Sequence, residues 1–286
     1  MDYSQILSQQ FNIKEEYAKN IITLLDDGNT IPFIARYRKE MHGSMDDQLI
    51  REFAEKLEYL RGLDKRRDEI RSLIDAQEKL TDEINLALDK AATLSELEDI
   101  YRPYRPKRKT RASIAKEKGL EPLANDILKQ EKGFDPSKSA VDYIDEEKGV
   151  TSVEDAIQGA MDIIAELVSD NAEIRKRIRN LTNANGVLVS VATDEEKDSV
   201  YKNYYDYKEP VKKIAGHRVL AVNRGEKEGF LKVSVETDSE KPLNSIFRAM
   251  ITDKNQLCSD IIREACTDAY QRLIYPSIER EVRNDL

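Results

Sequence analysis

The densest group of side chains that could bind a ligand lies in residues 102–118, the basic segment. Eight Lys or Arg residues and one Glu occur there. Pro103 and Pro106 prevent a regular helix and favour an extended backbone, which splays the cations outward. Such an array suits phosphate groups, and Tyr101 and Tyr104 could stack on unpaired bases. The candidate phosphate-binding residues of the segment are Arg102, Arg105, Lys107, Arg108, Lys109 and Arg111.

A second interpretation of the basic segment is that its cations bind carboxylates of the chain itself. The formal net charge is −9, so the residues outside the segment carry a large excess of acidic side chains. This balance argues against a dedicated DNA-coating protein, because nonspecific affinity depends on phosphates neutralised by Lys and Arg. We therefore expect any nucleic-acid site to be local, and both interpretations of the segment stay open.

A second basic cluster lies on a predicted helix. Ser152 and Asp155 are spaced as a helix N-terminal cap, and a tight turn at residues 169–170 separates that helix from the next. The second helix would place its cations where the recognition helix of a helix-turn-helix needs them. Many helix pairs merely pack together, so the pattern alone does not decide DNA contact. The cluster consists of Arg175, Lys176, Arg177 and Arg179.

A third basic stretch, IPFIARYRKE at residues 31–40, joins an apolar run to three cations. We favour a structural role for it over nucleic-acid binding. Tyr37 is interpreted as a packed anchor with a hydrogen-bonded hydroxyl, and Arg36 as the partner of a buried carboxylate.

Residues for catalysis, metal binding or cofactor binding form no familiar pattern. GxSxG, P-loop and GxGxxG sequences are absent. The only two histidines, His42 and His217, lie outside any triad context, and Cys258 and Cys266 form no CxxC pair. Eight residues apart on a helix, the cysteines are too distant to form a disulfide. We expect no enzymatic activity, no metal ion, no cofactor and two reduced cysteines.

The hydrophobic pattern predicts a mainly α fold: a multi-helix scaffold with a long amphipathic helix, the helix-turn-helix-like pair and a small β-sheet insertion. Apolar residues at steps near three and four predict the long helix, from a cap at Ser44 and Asp47 to about Gln77. A coiled-coil seam is the alternative for its apolar stripe. The predicted strands are Val187 to Val191, Arg218 to Asn223 and Phe230 to Val235.

Four segments follow from these elements. They are a helical region with the long helix and the basic segment at 1–130, the helix pair at 131–185, the β-containing element at 186–240 and C-terminal helices at 241–286. No apolar run approaches the roughly 20 residues that a membrane helix needs, and the first ten residues lack the order of a signal peptide. We therefore expect a cytoplasmic protein without a membrane partner.

Three long motifs resemble those of the Tex family of bacterial transcription accessory proteins. They are IPFIARYRKE, LEDIYRPYRPKRKTRASIAKEKGLEPLA at residues 97–124 and HRVLAVNRGEKEGFLKVSVE at residues 217–236. The resemblance implies a helical N-terminal region with a helix-turn-helix-like element, followed by an RNase-H-like domain, helix-hairpin-helix elements and an RNA-binding OB-fold. The stretch 275–286 resembles the approach to the RNase-H-like domain, so we expect this chain to be a piece that stops before it. The sequence departs from the pattern of the family at residues 41–45, MHGSM, and this departure concerns only the geometry of a turn.

The resemblance implies a role in transcription that composition and spacing do not indicate by themselves. The favoured hypothesis is a helical scaffold that contributes to RNA or DNA binding, weakly in this piece. The alternative is a docking module on the transcription machinery without nucleic-acid contact, and a nuclease-like enzyme is the least favoured. Salt response separates the first two, because phosphate contacts weaken steeply with salt.

Overall fold

The computed structural model describes residues 2–252 and 254–286. The chain divides into two compact units, Met1–Tyr101 and Arg102–Leu286. Helices dominate both units, and a small antiparallel sheet lies in the second, so the predicted mainly α class with a small sheet is confirmed. The first unit ends at Tyr101 and not near residue 130, because Ala112, Ala115 and Leu123 pack in the core of the second unit.

The first unit consists of helices joined by short turns. Pro32 lies in the first turn of its helix, where its missing N–H costs nothing, and Thr81 accepts the Ile84 N–H as an N-cap. The helices are α1 (Tyr3–Phe11), α2 (Glu15–Asp26), α3 (Ile31–Tyr37), α4 (Lys39–His42), α5 (Asp47–Asp75), α6 (Asp82–Lys90) and α7 (Leu94–Tyr101).

Helix α5 is the predicted long amphipathic helix, with 29 residues. Its cap is Asp46, whose carboxylate accepts the Leu49 N–H at 2.8 Å. The predicted cap at Ser44 is wrong, because Ser44 lies in a left-handed turn with φ of 65°. The apolar stripe packs inside its own unit, against α1, α3, α6 and α7 among others, so the chain itself covers the surface that a coiled-coil partner would need. The buried stripe is Ile50, Phe53, Leu57, Leu60, Leu63, Ile70 and Ile74.

The second unit combines helices with three strands. Short 3₁₀ turns connect several of them, and a π-helical stretch, Ala269–Ile274, precedes the last helix. The elements are α8 (Arg111–Glu117), α9 (Glu121–Lys129), α10 (Pro136–Ala140), α11 (Val153–Asp170), α12 (Ala172–Asn185), β1 (Val187–Ala192), β2 (Asp206–Pro210), α13 (Gly216–Lys227), β3 (Leu231–Glu236), α14 (Glu240–Met250), α15 (Gln256–Asp268) and α16 (Tyr275–Asp285).

Helix α11 lies at the centre of the second core and packs against α8, α9 and α15. Ser152 accepts the Asp155 N–H at 3.1 Å, so the predicted cap is confirmed. Gly159 leaves room for a side chain from the turn after α8, because a Cβ at this position would lie 2.3 Å from Leu120 Cδ1. Close approach at Gly159 therefore lets apolar side chains of α8 and its following turn reach the core.

The sheet has the order β2-β1-β3, and both pairs are antiparallel. Two predicted strands are confirmed as β1 and β3. The predicted strand at Arg218 to Asn223 is wrong, because this stretch lies in α13, where Val219 and Val222 are buried one helical turn apart. Strand β2 escaped prediction because its sequence, DYKEP, is mostly polar and ends in proline, as an edge strand allows.

Candidate nucleic-acid interface

The basic segment enters the second unit as a 3₁₀ turn, Arg102–Tyr104, and then has no regular structure until α8. Thr110 and Ser113 form a reciprocal capping box at the start of α8, which fixes the end of the irregular stretch. Between these points residues 105–109 lie at the surface. The prediction that the two prolines exclude a regular α-helix here is therefore confirmed.

Lys107 contacts carboxylates of the chain itself. Its Nζ forms an ion pair with Asp170 and lies 3.5 Å from Glu166 Oε1. Both carboxylates belong to the last turns of α11, where the negative end of the helix dipole also favours a cation. For this residue the structure supports the interpretation as an internal contact, and the contact anchors the middle of the segment.

Arg102 and Arg175, from the two predicted basic clusters, share one acceptor. Arg102 Nη2 donates to Ser277 Oγ at 3.4 Å, and Arg175 Nη2 donates to the same oxygen at 3.0 Å. Ser277 donates in turn to Glu281 Oε1 at 3.1 Å. The two clusters therefore converge on the first turns of α16, a relationship that neither cluster predicts alone.

Arg175 and Arg179 lie inside the second unit, with exposed fractions of 0% and 8%. Arg175 Nη2 is 2.8 Å from Glu281 Oε1, and Arg179 Nη2 is 2.7 Å from Glu281 Oε2. The prediction that these two arginines contact phosphate does not fit this burial. Four residues apart, they share the face of α12 that packs against α16, whereas Lys176 and Arg177 are exposed.

Glu281 is held in its ionised form by the arginines around it. Burial by itself raises the pKa of this carboxyl group. The hydrogen bond from Arg179, the charges of Arg179 and Arg175 and the hydrogen bond from Ser277 outweigh burial and hold the pKa below its usual value. The cluster is thus a structural ion-pair network whose arginines are engaged within the protein.

The remaining predicted cations are exposed and form a set that we call the basic rim. Lys109 approaches Glu117 at 3.5 Å, but both side chains are well exposed, so water screens this pair strongly. Arg111 lies near Asp162; burial raises the pKa of that carboxyl group, and the charge of Arg111 opposes the rise. The rim consists of Arg105, Arg108, Lys109, Arg111, Lys176 and Arg177.

The contact between Lys107 and Asp170 brings the two parts of the rim together. Asp170 ends α11, and the next residue, Asn171, caps α12 by accepting the Ile174 N–H at 3.0 Å. Lys176 and Arg177 follow within the first two turns of α12, about 9 Å along its axis. The structure therefore places exposed cations of the segment and of α12 around one helix junction.

The two tyrosines of the segment are not equivalent. Tyr101 is only 6% exposed, and the guanidinium of Arg66 lies 5.7 Å from its ring centre within the first unit. The proposed stacking of a base on Tyr101 is therefore wrong, since its faces are covered by the protein. Tyr104 is half-buried. The basic rim thus offers charge more than aromatic surface.

Helix α3 also differs from its predicted role. Tyr37 is 59% exposed, so it is not a packed anchor. Arg36 is exposed, and it forms no ion pair with any carboxylate in residues 2–252 and 254–286. The predicted buried pairing of Arg36 is therefore wrong.

The part of the chain that the structure describes contains no group of three or more His, Cys, Asp or Glu residues that could hold a metal ion. Buried His42 lies with Nε2 3.1 Å from the Ile34 carbonyl oxygen, which ties α4 to α3. Among these same residues, no helix is both long and apolar enough to cross a membrane.

Comparison with known proteins identifies the family. The model of the Tex central region matches residues 131–286, and the model of the Tex-like N-terminal domain matches residues 1–75. The chain belongs to the Tex family. Together the two matches include α1–α5 and α10–α16 of this Tex chain, while the whole basic segment lies between them.

Relatives of this Tex chain are longer proteins. The uncharacterized protein YdcI of Bacillus subtilis is 43% identical over 293 residues, which covers 100% of this chain and 41% of the relative. The transcriptional accessory protein Tex of Neisseria gonorrhoeae is 35% identical over 297 residues, covering 100% and 38%. The human S1 RNA-binding domain-containing protein 1 is 30% identical over 303 residues, covering 100% and 30%. The Tex chain thus spans about two fifths of the length of these two bacterial relatives.

Sequence reasoning missed the acidic partners of these cations. Glu166, Asp170 and Glu281 lie on α11 and α16, among other charged residues that face solvent. The spacing of Ser277 and Glu281, four residues apart on one helix, is the only local feature that sets the last of them apart. Which carboxylate meets which arginine depends on helix packing, and no local pattern encodes it.

Proposed function

We propose that this Tex-family chain is a helical scaffold that contributes to nucleic-acid binding in a transcription accessory protein. Its contact surface is the basic rim, and the contact of Lys107 with Asp170 is the observation that carries the proposal. This ion pair engages Lys107 within the protein and holds the basic segment against α11. The neighbouring Arg105, Arg108 and Lys109 are then presented to solvent beside Lys176 and Arg177.

Phosphate is the ligand chemistry that fits this arrangement best. The six cations of the rim form a small surface that attracts phosphate, on a protein whose net charge of −9 otherwise repels it. The affinity of this chain alone would therefore be modest and strongly salt-dependent. Because a human relative is named for an S1 RNA-binding domain, RNA is the first ligand to test here, with DNA as the comparison.

The helix-turn-helix hypothesis is a finer form of the same proposal. Helices α11 and α12 are joined through the single residue Asn171, and α12 turns Lys176 and Arg177 outward. In this form the exposed side of α12 would approach the phosphate backbone, while Arg175 and Arg179 hold its other side in the fold. A role beside transcription would place the chain in the compartment where RNA is synthesised, the cytoplasm of a bacterium.

The test is the binding of labelled RNA and DNA at several salt concentrations. Changing Arg105, Arg108 and Lys109 to Gln should weaken binding and flatten the salt slope by roughly 0.7 to 0.9 for each lost contact. The matched control changes Lys138, Lys148 and Lys202 to Gln, which removes the same charge from exposed positions of the same unit. An equal loss of binding affinity in both variants would show that the effect comes from net charge alone, and it would refute the basic rim as a binding site.

A docking module on the transcription machinery is the second candidate. Leu220 and Val200 support it, because these apolar side chains of the second unit are 73% and 87% exposed. A salt-resistant complex with RNA polymerase that Leu220→Ser abolishes, with unchanged RNA binding, would favour docking. We also propose that the chain has no catalytic activity of its own; metal-dependent RNA cleavage that vanishes when its own carboxylates are mutated would refute this.

A further inference from the structure

Helix α3 presents an aromatic pair on the surface of the first unit. The rings of Phe33 and Tyr37, one helical turn apart, have centres 5.4 Å from each other with planes inclined at 42°. The guanidinium of Arg38 lies 5.4 Å from the centre of the Phe33 ring. Phe33 is half-buried, whereas Tyr37 is largely exposed. The ring of Tyr37 is therefore open to a ligand and is held in contact with the partly buried ring of Phe33.

Three cations lie next to Tyr37 in the sequence. Arg36, Arg38 and Lys39 are exposed, and none of them forms an ion pair with a carboxylate in residues 2–252 or 254–286. Two arginines of α5 in the same unit differ in this respect. Arg61 pairs with Asp26 and Arg66 with Glu98, each with a closest distance of 2.7 Å.

The pairing pattern matters because the chain as a whole is acidic. With 55 acidic and 46 basic side chains, carboxylates outnumber cations in the chain. A group of three cations without a carboxylate partner among the described residues keeps its attraction for an external anion. The helix that carries the aromatic pair is also fixed, since Ile34 of α3 is fully buried and its carbonyl oxygen contacts His42 Nε2.

We propose that Tyr37, supported by Phe33 and flanked by Arg36, Arg38 and Lys39, is a binding site for single-stranded nucleic acid. An unpaired base would stack on the exposed ring of Tyr37, and adjacent phosphates would contact the cations. A duplex cannot use the site in this way, because its bases are already stacked on one another. The α3 site is separate in sequence and in unit from the basic rim, so it does not depend on the function proposed above.

The chain supplies a matched control for the aromatic ring. Tyr59 on α5 is 42% exposed, and Lys56 Nζ lies 4.8 Å from its ring centre. Glu52 and Glu55 line the same shallow cavity, so phosphate is repelled there. Tyr59→Ala thus removes an exposed tyrosine that has a cation beside it but an acidic neighbourhood.

The experiment measures fluorescence anisotropy of labelled oligouridylate with the full 286-residue chain. Arg105, Arg108 and Lys109 are changed to Gln in all samples, so that the remaining binding comes from outside the altered rim. In this background Tyr37→Ala should weaken single-strand binding by roughly 5- to 100-fold, the usual range for loss of one stacked base. Tyr37→Phe should bind like its parent, Tyr59→Ala should change little, and Arg38→Gln should reduce the salt slope by about 0.7.

Three results would overturn the α3 site. They are no oligouridylate binding in the rim-altered background, equal losses for Tyr37→Ala and Tyr59→Ala, or a parallel loss for Tyr37→Ala on a uridylate–adenylate duplex. Thermal unfolding checks that Tyr37→Ala is folded. If the rim substitutions alone change nothing while Tyr37→Ala weakens binding, the function proposed for the rim fails and the α3 site stands.

Discussion

Arg175 and Glu281 form an ion pair across 2.8 Å between helices α12 and α16, and the guanidinium of Arg175 is fully buried. Arg179 shares the same carboxylate. Glu281→Ala would leave two guanidinium groups in the interior without their anion, so the free energy of unfolding should fall by about 3–5 kcal/mol. Urea denaturation measures the loss, with exposed Glu154→Ala as control. A loss below about 1 kcal/mol would contradict the structural role of this pair.

The same carboxylate predicts how stability depends on pH. Because the folded protein holds the pKa of Glu281 below the usual value of a glutamate side chain, the ionised form stabilises the fold at higher pH. This contribution is complete above the unfolded pKa and is lost as pH falls through the folded pKa. The difference in unfolding free energy between the natural chain and Glu281→Gln should therefore narrow from pH 7 to pH 3. A difference that stays constant over this range would count against the assigned ion pair.

Lys107 and Arg108 are adjacent but should respond oppositely to substitution. Lys107→Gln removes the contact with Asp170 and Glu166, so the free energy of unfolding should drop by up to about 1 kcal/mol. Arg108→Gln should change stability by less than about 0.5 kcal/mol but weaken nucleic-acid binding. Urea titration and binding anisotropy of both variants provide the measurements. If the two variants behaved alike in both assays, the division between anchor and rim would be wrong.

The two cysteines should be unreactive in the folded chain. Burial raises the pKa of Cys266 to about 12 and raises that of Cys258 as well, and neither side chain is accessible to solvent. At pH 8 only about one Cys266 thiol in ten thousand would be ionised. An aromatic disulfide reagent should therefore modify both thiols when the protein is unfolded in concentrated urea. In buffer, where the protein is folded, it should modify both much more slowly than a free thiol. Rapid modification of the native protein would show that this part of the core opens readily.

Gly186 joins α12 to β1 at a place where a methyl group does not fit. A Cβ there would lie 2.4 Å from the Thr182 carbonyl oxygen, which also accepts the Gly186 N–H at 2.7 Å. Gly186→Ala should cost about 1–3 kcal/mol, because the backbone has to move. Gly216→Ala is the control, since a Cβ there has open space. Thermal unfolding should give a lower Tm for Gly186→Ala than for the natural chain and an unchanged Tm for Gly216→Ala. Equal Tm values for the two variants would mean that the junction between α12 and β1 adjusts without cost.

Local patterns in the sequence determined much of the framework. The apolar spacing from Ile50 to Ile74 specified α5, and the hydroxyls of Thr81 and Ser152 marked two helix starts, because caps and helical periodicity act within a few residues. The prolines of the basic segment predicted irregular structure for the same reason. Long motifs carried the family resemblance, which the matches over residues 1–75 and 131–286 confirmed.

The tertiary structure decided which basic residues remain available to a ligand. Arg175 and Lys176 are neighbours in sequence, yet one is buried against Glu281, 106 residues further along the chain, and the other is exposed. The apolar stretch around Val219 became helix because its buried residues face a core on a helical period, although the same residues suit a strand. Burial and ion pairing depend on elements distant in sequence. A local pattern therefore fixes the charge of a side chain, but it does not fix whether that charge is paired within the protein or remains available to a ligand.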